Sequence, residues 1–310
     1  MPVPWVMRWT RRNLRRHRWL PRHAQNTRCG WTDLTGVFRR YLSTVSLRTE
    51  KRERGTQWPP VVVTGGATGI GLAAVRDLAA RGATIAAVFH VTAPPADLAD
   101  SVIWVKCDLT DKGSVDGAFA RIARQLGGID VLLHAAGLWE AAAPGEISAD
   151  DLRRLLAVNL DATVFTNQAA YRHMKNAGGA IINLGSQDGV LGSPVAASYS
   201  MAKAAVHAWM RSAARAWGGA RVTVNSVAPC VDTTNADRLR DYIRSTGADP
   251  DEVLPARMKV LVPLGGTFGD ARTDLCPVLA FLSGGGARFI TGQLIAVDLT
   301  FITGAGSARS

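Results

Sequence analysis

The residues best suited to proton chemistry lie near the middle of the 310-residue chain. Tyr199 and Lys203 are four residues apart, so on a helix their side chains share one face. A phenol beside an ammonium group has a lowered pKa, because the positive charge stabilises the phenolate. We therefore expect Tyr199 to donate or accept a proton near neutral pH. A Tyr–Lys pair at this spacing also occurs on ordinary helix surfaces, and the pair alone leaves that alternative open.

Two further polar residues could complete this chemistry. Ser186 follows an apolar run at 180–184, where the carboxyl end of a parallel strand would face a ligand. Its hydroxyl could hold a carbonyl oxygen while Tyr199 delivers the proton, or it could be a plain turn residue. Asn159 falls inside a predicted helix, although asparagine is a poor helix former. It is either a tolerated polar residue or a residue that opens the helix for a water molecule.

A glycine-rich turn connects the first apolar run to the first helical pattern. Residues 64–71 read TGGATGIG, with Gly65, Gly69 and Gly71 in a G-x3-G-x-G spacing. Such a turn lets a pyrophosphate approach the backbone amides, and the following helix directs its positive dipole end at the phosphate. The turn predicts a nucleotide site. It lacks the terminal Lys-Ser/Thr of a P-loop, which argues against a nucleoside triphosphatase.

Short apolar runs alternate with helical patterns from residue 60 onward. We predict strands at 61–63, 83–89, 102–105, 129–133, 180–184, 222–227 and 293–297. We predict helices at 70–81, 113–126, 149–175, 198–217 and 271–283, and an irregular polar segment at 231–262. Near-continuous apolar strands alternating with helices indicate a parallel sheet covered on both faces. The predicted fold is α/β, a single doubly wound Rossmann-type domain with about seven parallel strands.

The net charge of +11 is confined to the beginning of the chain. Residues 1–58 contain 14 Lys and Arg and only three acidic residues, whereas the other 252 residues contain 22 of each sign. We therefore divide the chain into a basic extension, 1–58, and a folded domain, 59–310. The extension is a disordered segment, translated upstream sequence, an organellar targeting segment, or a Trp- and Arg-rich surface for nucleic acid or an anionic membrane.

Composition excludes several classes of protein. A hydrophobic content of 47% with 20% charged residues is incompatible with a fully disordered chain. The four cysteines, at 29, 107, 230 and 276, show neither a metal-binding nor a disulfide-rich spacing, which fits a reducing compartment. The longest uncharged stretch, 55–75, contains two prolines and several glycines, so it is not a membrane-spanning helix. We predict a cytoplasmic protein without a metal site.

These motifs together resemble the classical short-chain dehydrogenase/reductase family, which includes 3-oxoacyl-carrier-protein reductases and sugar or steroid alcohol dehydrogenases. The resemblance extends over about residues 59–300 and leaves the basic extension outside. The motifs that carry it appear in order along the chain. They are TGGATGIG at 64–71, CDLTD at 107–111, HAAG at 134–137, VN at 158–159, GS at 185–186, Y-x3-K at 199–203, NSVAP at 225–229 and TGQ at 291–293.

The resemblance implies roles for these residues in hydride transfer between a nicotinamide cofactor and a ketone or secondary alcohol. Tyr199 would be the general acid in reduction and the base in oxidation, and Lys203 would lower its pKa and bind the nicotinamide ribose. Ser186 would hold the substrate oxygen, and Asn159 would complete a water relay. The implied cofactor-binding residues are Gly65, Thr68, Gly69, Ile70, Gly71, His90, Asp108, Leu109, Ala136, Gly137, Asn159, Tyr199, Lys203, Pro229 and Thr233.

Within that set, Asp108 would meet the adenine ring, Gly137 the ribose and Thr233 the carboxamide. An acidic residue after the second strand would favour NAD, because it would bond the ribose hydroxyls. Residues 88–92 read VFHVT, without Asp or Glu, and His90 and Thr92 would tolerate a 2′-phosphate. The sequence therefore favours NADP over NAD, although no Lys or Arg lies at these positions. His90 as an ordinary strand-end surface residue is the alternative.

The chain departs from the family pattern at three places. His134 and Ala135 replace an Asn-Asn pair, which would remove a backbone-stabilising amide. Cys230 replaces a glycine after Pro229, and the segment to Thr233 is one residue shorter than usual, which weakens that assignment. Residues 297–300, VDLT, replace Asp-Gly-Gly near the C-terminus.

The surroundings of the site and the partners are predicted more coarsely. Trp139 is expected to cover a hydrophobic edge, Glu140 and Asp188 to be solvated loop acids, and 231–262 to form a mobile lid. The resemblance implies a homodimer or homotetramer through helices 149–175 and 198–217, acting on a small carbonyl or alcohol substrate. We expect no nucleic acid or membrane contact from the folded domain. The alternative function is an NAD(P)-binding regulator that uses the basic extension to contact nucleic acid or membrane.

Overall fold

The computed structural model of the protein describes residues 58–298. The basic extension, except Trp58, and residues 299–310 lie outside the described part. The predictions for the extension and for Leu299 and Thr300 therefore receive no structural account.

Seven parallel strands form the sheet, in the order β3-β2-β1-β4-β5-β6-β7. Their register pairs Val61 with Ile85 on one side of β1 and with Val131 on the other. The strands are β1 (Val61–Thr64), β2 (Ile85–Phe89), β3 (Ile103–Lys106), β4 (Val131–His134), β5 (Gly179–Leu184), β6 (Val222–Pro229) and β7 (Leu294–Val297). From β1 to β3 successive strands are added towards one edge of the sheet, and from β4 to β7 they are added towards the other edge. A crevice therefore opens beyond the carboxyl ends of the adjacent strands β1 and β4.

Helices cover both faces of the sheet. They are α1 (Gly69–Ala80), α2 (Lys112–Leu126), α3 (Ala149–Leu156), α4 (Ala162–Met174), α5 (Asp188–Leu191), α6 (Ala197–Trp217), α7 (Thr234–Ser245), α8 (Pro250–Leu261) and α9 (Cys276–Ser283). Wider π turns precede α4 at Ala157–Asp161 and α9 at Ala271–Leu275. Short 3₁₀ turns lie at Ala96–Leu98, Gly218–Ala220 and Gly285–Ala287.

Alternate residues of each strand enter two separate cores. Val61 and Val63 pack on the α1 and α9 side, whereas Val62 packs on the side of α2, α4 and α6. All three are fully buried, which explains why the strand has no polar alternation. The predicted α/β fold with one seven-stranded parallel sheet is confirmed.

The prediction for residues 231–262 is wrong, because this segment contains two helices, α7 and α8. Asp249 caps α8 through its side chain, and Pro250 occupies the first turn, where its missing N–H costs nothing. Leu254 and Met258, four residues apart, are the buried residues that dock α8. Its many charged residues obscured this narrow apolar stripe. The predicted helix 149–175 forms, but the π turn interrupts it.

Candidate active site

A cavity of about 610 Å³ opens at the carboxyl ends of the strands. The turn after β1, the segments following β4 and β5, and the start of α7 and the end of α8 line it. Ligands bind at this position in doubly wound sheets, because the loops diverge there and leave a crevice. The fold therefore brings the glycine turn, Ser186 and the Tyr199–Lys203 pair around one cavity.

Tyr199 and Lys203 both face this cavity from α6. The Lys203 ammonium lies 5.5 Å from the centroid of the Tyr199 ring, and both residues are buried. The Nζ of Lys203 also donates a hydrogen bond of 2.8 Å to the carbonyl oxygen of Leu184, at the end of β5. The helical spacing thus places the pair on one face, as predicted, and ties that face to the sheet.

Ser186 lies in the turn that follows β5 and lines the same cavity. Its Oγ accepts a hydrogen bond of 3.1 Å from the backbone N–H of Asp188. Because this bond uses a lone pair, the hydroxyl proton remains free to be donated. Tyr199 lines the same cavity, and burial raises the pKa of its phenol while the neighbouring Ser186 side chain partly offsets that rise.

The expectation that Lys203 lowers the pKa of Tyr199 is wrong for the ligand-free protein. Burial raises the pKa of Tyr199, and the nearby Asp188 carboxylate raises it further. Burial also lowers the pKa of Lys203 to about 8, which weakens the charge that was expected to stabilise the phenolate. Removal from water is the largest cause of the shift in the pKa of each group. At neutral pH the phenol therefore carries its proton.

Asn159 lies inside the π turn between α3 and α4 and is buried. Its amide donates to the carbonyl oxygens of Leu138 and Leu155, at 2.9 and 3.0 Å. Its Oδ1 accepts a hydrogen bond of 3.1 Å from the N–H of Leu138. The helix is therefore widened at Asn159, and the amide holds the segment after β4 beside Gly137.

The turn after β1 has the shape that a pyrophosphate requires. Gly65 adopts a left-handed φ of 64°, and a Cβ there would lie 2.9 Å from the backbone N of Ala136. A Cβ on Gly71 would lie 2.1 Å from the carbonyl oxygen of Gly65. Thr68 precedes α1 without a side-chain cap from any described residue, which leaves the first N–H groups of the helix available to an anion. The residues present therefore fit a dinucleotide.

Most of the predicted cofactor-binding residues surround the cavity. Those that line it are Gly65, Thr68, Gly69, Ile70, His90, Ala136, Gly137, Tyr199, Lys203, Pro229 and Thr233. Gly71 supports the turn from within α1, and Asn159 acts from behind Gly137. Leu109 packs against the core on the α2 side and does not line the cavity. Thr233 is the N-cap residue that precedes α7, and within the described chain its side chain makes no capping hydrogen bond.

Asp108 lies in a second, smaller cavity of about 390 Å³ next to the first. Bonds from the hydroxyl and the backbone N–H of Thr110 lower the pKa of the Asp108 carboxyl. His90 lines both cavities, and Lys106 and Arg121 line the smaller one. Neither basic residue was predicted for the site, because both lie outside the motifs. Lys106 comes next to the end of β2 through the pairing of β2 with β3, and Arg121 lies on α2.

His134 does not leave the backbone unsupported, contrary to the expectation from its replacement of asparagine. Thr64 Oγ1 accepts bonds of 3.2 Å from the N–H groups of Ala135 and Ala136. The His134 Nδ1 lies 2.9 Å from Thr64 Oγ1 and 3.0 Å from Thr166 Oγ1. Burial lowers the pKa of His134 to about 3, so the imidazole is neutral and can accept the Thr64 proton.

The substrate end of the cavity differs from the predictions. Trp139 is buried and lines the cavity. Asp188 also lines it, and burial raises the pKa of its carboxyl, so the prediction of a solvated acid is wrong for this residue. Glu140 instead forms an ion pair with Arg154 on α3.

The segment 231–262 supplies much of the wall that the sequence analysis missed. Leu239 of α7, together with Arg257, Met258 and Leu261 of α8, lines the cavity, and Phe268 follows them. The only available signal was the spacing of the apolar residues at 254, 258 and 261. Within residues 58–298 no three His, Cys, Asp or Glu side chains group as metal ligands. The helices described in the same range include none with the length and hydropathy of a membrane span.

Comparison with known proteins gives a consistent family. Residues 60–242 match the model of the short chain dehydrogenase family. The chain is 36% identical over 247 residues to cis-4-hydroxycyclohexanecarboxylate dehydrogenase of Sinomonas cyclohexanicum, covering 76% of this chain and 94% of that protein. It is 34% identical over 239 residues to the 3-oxoacyl-[acyl-carrier-protein] reductase MabA of Mycobacterium tuberculosis, covering 77% and 90%.

A solved structure shows the same architecture. The blue fluorescent protein from a metagenomic library, in complex with NADPH, superposes with a TM-score of 0.64 at 31% identity, covering 77% of this chain and 96% of that one. The chain belongs to the short-chain dehydrogenase family. It is an NAD(P)-dependent oxidoreductase that acts on CH–OH groups of small molecules. The alternative of a regulatory protein finds no support among these relatives, which are named as dehydrogenases and reductases.

Proposed function

We propose that this protein reduces a ketone to a secondary alcohol with Tyr199 as the general acid, and catalyses the reverse oxidation when the phenol is ionised. The observation that supports this most strongly is the convergence of Ser186, Tyr199 and Lys203 on one cavity beside a phosphate-binding turn. The relatives act on alcohols and ketones, but their names do not identify the residues that perform the chemistry.

The proton path follows from the hydrogen bonds of the site. A bound nicotinamide dinucleotide supplies the hydride in reduction and takes it up in oxidation. The substrate oxygen lies between the hydroxyls of Ser186 and Tyr199, and Ser186 donates a hydrogen bond to it. As the carbonyl carbon gains the hydride, the oxygen takes the Tyr199 proton, and the alcohol is complete. Lys203 stabilises the resulting phenolate, and Asn159 holds the segment at Gly137 in place.

The protonation state of Tyr199 favours reduction near neutral pH. Because burial raises the pKa of this phenol, the acid form that reduction requires is already present. Oxidation requires the phenolate, so its rate should rise with pH. The direction preferred in the cell depends on the cofactor ratio as well as on this equilibrium.

NADP is the proposed cofactor. No acidic residue follows β2 at positions 90–92, so nothing there repels a 2′-phosphate. His90 borders both cavities, and Lys106 and Arg121 add positive charge to the smaller one. Substituting Lys106 and Arg121 together by Ala should raise the KM for NADPH more than that for NADH. Equal changes for both cofactors would contradict this proposal.

The substrate is proposed to be a small ketone or alcohol with an apolar body, because Trp139, Leu239, Met258 and Phe268 line that end of the cavity. One of the relatives quoted above is named for a ring alcohol that carries a carboxylate, and the other is named for a ketone on an acyl chain. A panel of cyclic and linear ketones, followed by NADPH absorbance, would identify the preferred class.

We also propose that the protein assembles into oligomers through its long helices. A dimer or tetramer through α3, α4 and α6 is supported by a half-buried aromatic cluster, in which Tyr171 stacks on Trp217 at 4.3 Å. Light scattering on the purified protein would measure the number of chains in the assembly.

The proposed domain boundary at residue 58 predicts that deleting residues 1–58 preserves turnover. We propose that the protein is cytoplasmic, and a fluorescent protein fused to residues 1–58 would show whether this segment directs it elsewhere.

The decisive test of the function is Tyr199→Phe. General acid catalysis contributes about 10²- to 10⁴-fold, so kcat for ketone reduction should fall by that order while the dissociation constant for NADPH changes little. Ser212→Ala, on an exposed face of the same helix, is the matched control and should keep full activity. Undiminished kcat in Tyr199→Phe would exclude this residue as the acid.

A further inference from the structure

The buried polar face of α6 continues one turn beyond the Tyr–Lys pair. Tyr199, Lys203 and His207 follow one another at intervals of four residues, and His207 is only 3% exposed. This spacing places all three side chains on one side of the helix, facing the segment that follows β5. The mechanism proposed above uses Tyr199 and Lys203 but gives no role to the imidazole.

The imidazole of His207 contacts the turn that carries Ser186. Its Nε2 lies 3.3 Å from the backbone N–H of Ser186, which donates to it. The ring also packs against Gly189, three residues later, where an added Cβ would lie 2.8 Å from the imidazole Cε1. One side chain therefore holds both ends of the short turn in which the Ser186 hydroxyl lies.

Two glycines leave the space that the ring fills. A Cβ on Gly185 would lie 2.7 Å from His207 Nε2, and a Cβ on Gly189 would lie 2.8 Å from its Cε1. Both distances are shorter than a side chain tolerates, so the glycines on either side of Ser186 and the imidazole fit together. A side chain at either position would displace the imidazole, which is a packing reason for glycine at 185 and at 189.

The hydrogen bond to Ser186 also defines the form of the ring. Nε2 can accept the Ser186 N–H only when it carries no proton, so the imidazole that makes this bond is neutral, with its proton on Nδ1. Burial favours the neutral form, as do the cations of Lys203 and Arg211 on the same helix.

We propose that His207 is a positioning residue of the reaction: its neutral imidazole holds the backbone on both sides of Ser186 and thereby directs the Ser186 hydroxyl at the substrate oxygen. The proposal rests on the proposed function of Ser186. The turn is then held at two successive points from α6, by Lys203 at the Leu184 carbonyl and by His207 at the Ser186 N–H. The backbone N–H of Asp188 orients the serine oxygen itself.

The test compares His207→Leu with the wild-type chain. A displaced catalytic group can cost about 100-fold in rate, so we expect kcat for ketone reduction to fall about 10- to 100-fold. The dissociation constant for NADPH should stay within about twofold, because the glycine turn and the smaller cavity are not touched. His207→Gln should restore most of the activity, since the amide oxygen of glutamine can accept the hydrogen bond from the Ser186 N–H.

A double substitution separates positioning from a general effect on the fold. If His207 acts through Ser186, adding His207→Leu to Ser186→Ala should lower kcat no further. The same factor in both backgrounds, or an unchanged kcat in His207→Leu, would overturn the proposal. Should His207→Leu fail to fold, His207→Met fills the same space without accepting this hydrogen bond and is assayed instead. A wild-type chain that turns over no ketone contradicts the proposed function and not the role of His207.

Discussion

The two ends of the cavity are built in different ways. At the cofactor end, the turn after β1 consists of backbone and glycines, and the contacts that exclude a Cβ are to main-chain atoms of Gly65 and Ala136. At the substrate end, side chains of α7 and α8, with Trp139, form the wall. A site built from the backbone tolerates few residue types, so its glycine spacing can be recognised in the sequence. A wall built from side chains can be made by many sequences, so it cannot be recognised in this way.

Two buried histidines lie behind segments that line the cavity, His134 at the end of β4 and His207 on α6. The pKa values of His134 and His207 are lowered to about 3 and about 4, against an ordinary value of 6.5. Below pH 6.5 these two imidazoles bind protons in the unfolded chain but not in the folded chain. Their contribution to the free energy of unfolding is therefore fully present above pH 6.5 and is lost as the pH falls towards 4.

Acid should therefore produce the largest effect on the protein as a whole. Between pH 6.5 and 5 we expect the free energy of unfolding to fall by roughly 2 kcal/mol for each of these histidines. Urea titrations at both pH values would measure the fall. His207→Gln should reduce it by about half, and an identical fall in that variant would show that His207 is not involved.

The next effect tests the backbone-built end. Gly71→Ala places a Cβ 2.1 Å from the Gly65 carbonyl oxygen, so the turn must move. We expect the dissociation constant for NADPH to rise about tenfold or more, which is about 1.4 kcal/mol. Fluorescence titration with NADPH measures it, with Gly145→Ala as control because a Cβ there meets no atom within 4 Å. Unchanged NADPH binding in Gly71→Ala would show that the cofactor end of the cavity tolerates substitution as well as the substrate end does.

A smaller effect is expected at the side-chain wall. Leu239→Ala removes apolar contact at the cavity and should raise the KM for an apolar ketone about three- to tenfold, which corresponds to a loss of about 1 kcal/mol in binding. The dissociation constant for NADPH should not change. Val260→Ala, on the 78% exposed side of α8, is the control. A loss of NADPH affinity in Leu239→Ala would mean that the two ends are not independent.

The smallest effect concerns Asp188. Its carboxylate raises the pKa of Tyr199, so removing the charge should lower that pKa. In Asp188→Asn, the rise of alcohol oxidation with pH should therefore begin at lower pH, by less than about one unit. The measurement is kcat/KM for oxidation between pH 6 and 10. A shift to higher pH would contradict the assigned effect of this carboxylate.

Much of the cofactor end could be predicted from residue spacing. The glycines at 65, 69 and 71 open α1 as expected, and Tyr199 and Lys203 share a helix face because four residues make about one turn. The positions of Lys106 and Arg121 could not be predicted, since Lys106 comes beside β2 only when β3 pairs with it and Arg121 comes to the same cavity only when α2 packs on the sheet. Residues 231–262 appeared irregular because the charged residues of α7 and α8 outnumber the few that dock them.

The amino-acid sequence by itself determined the strands, the glycine turn and the Tyr199–Lys203 pair, because each depends on residues close together in the chain. Only the tertiary structure decided the protonation of Tyr199 and the contacts of His134 and His207. Those properties depend on how completely distant segments exclude water and which backbone groups they bring within bonding distance, as at Ser186 and His207. Burial outweighs the charge of a neighbour that the sequence does reveal, so the pKa of Tyr199 moves in the direction opposite to the one its spacing from Lys203 predicts.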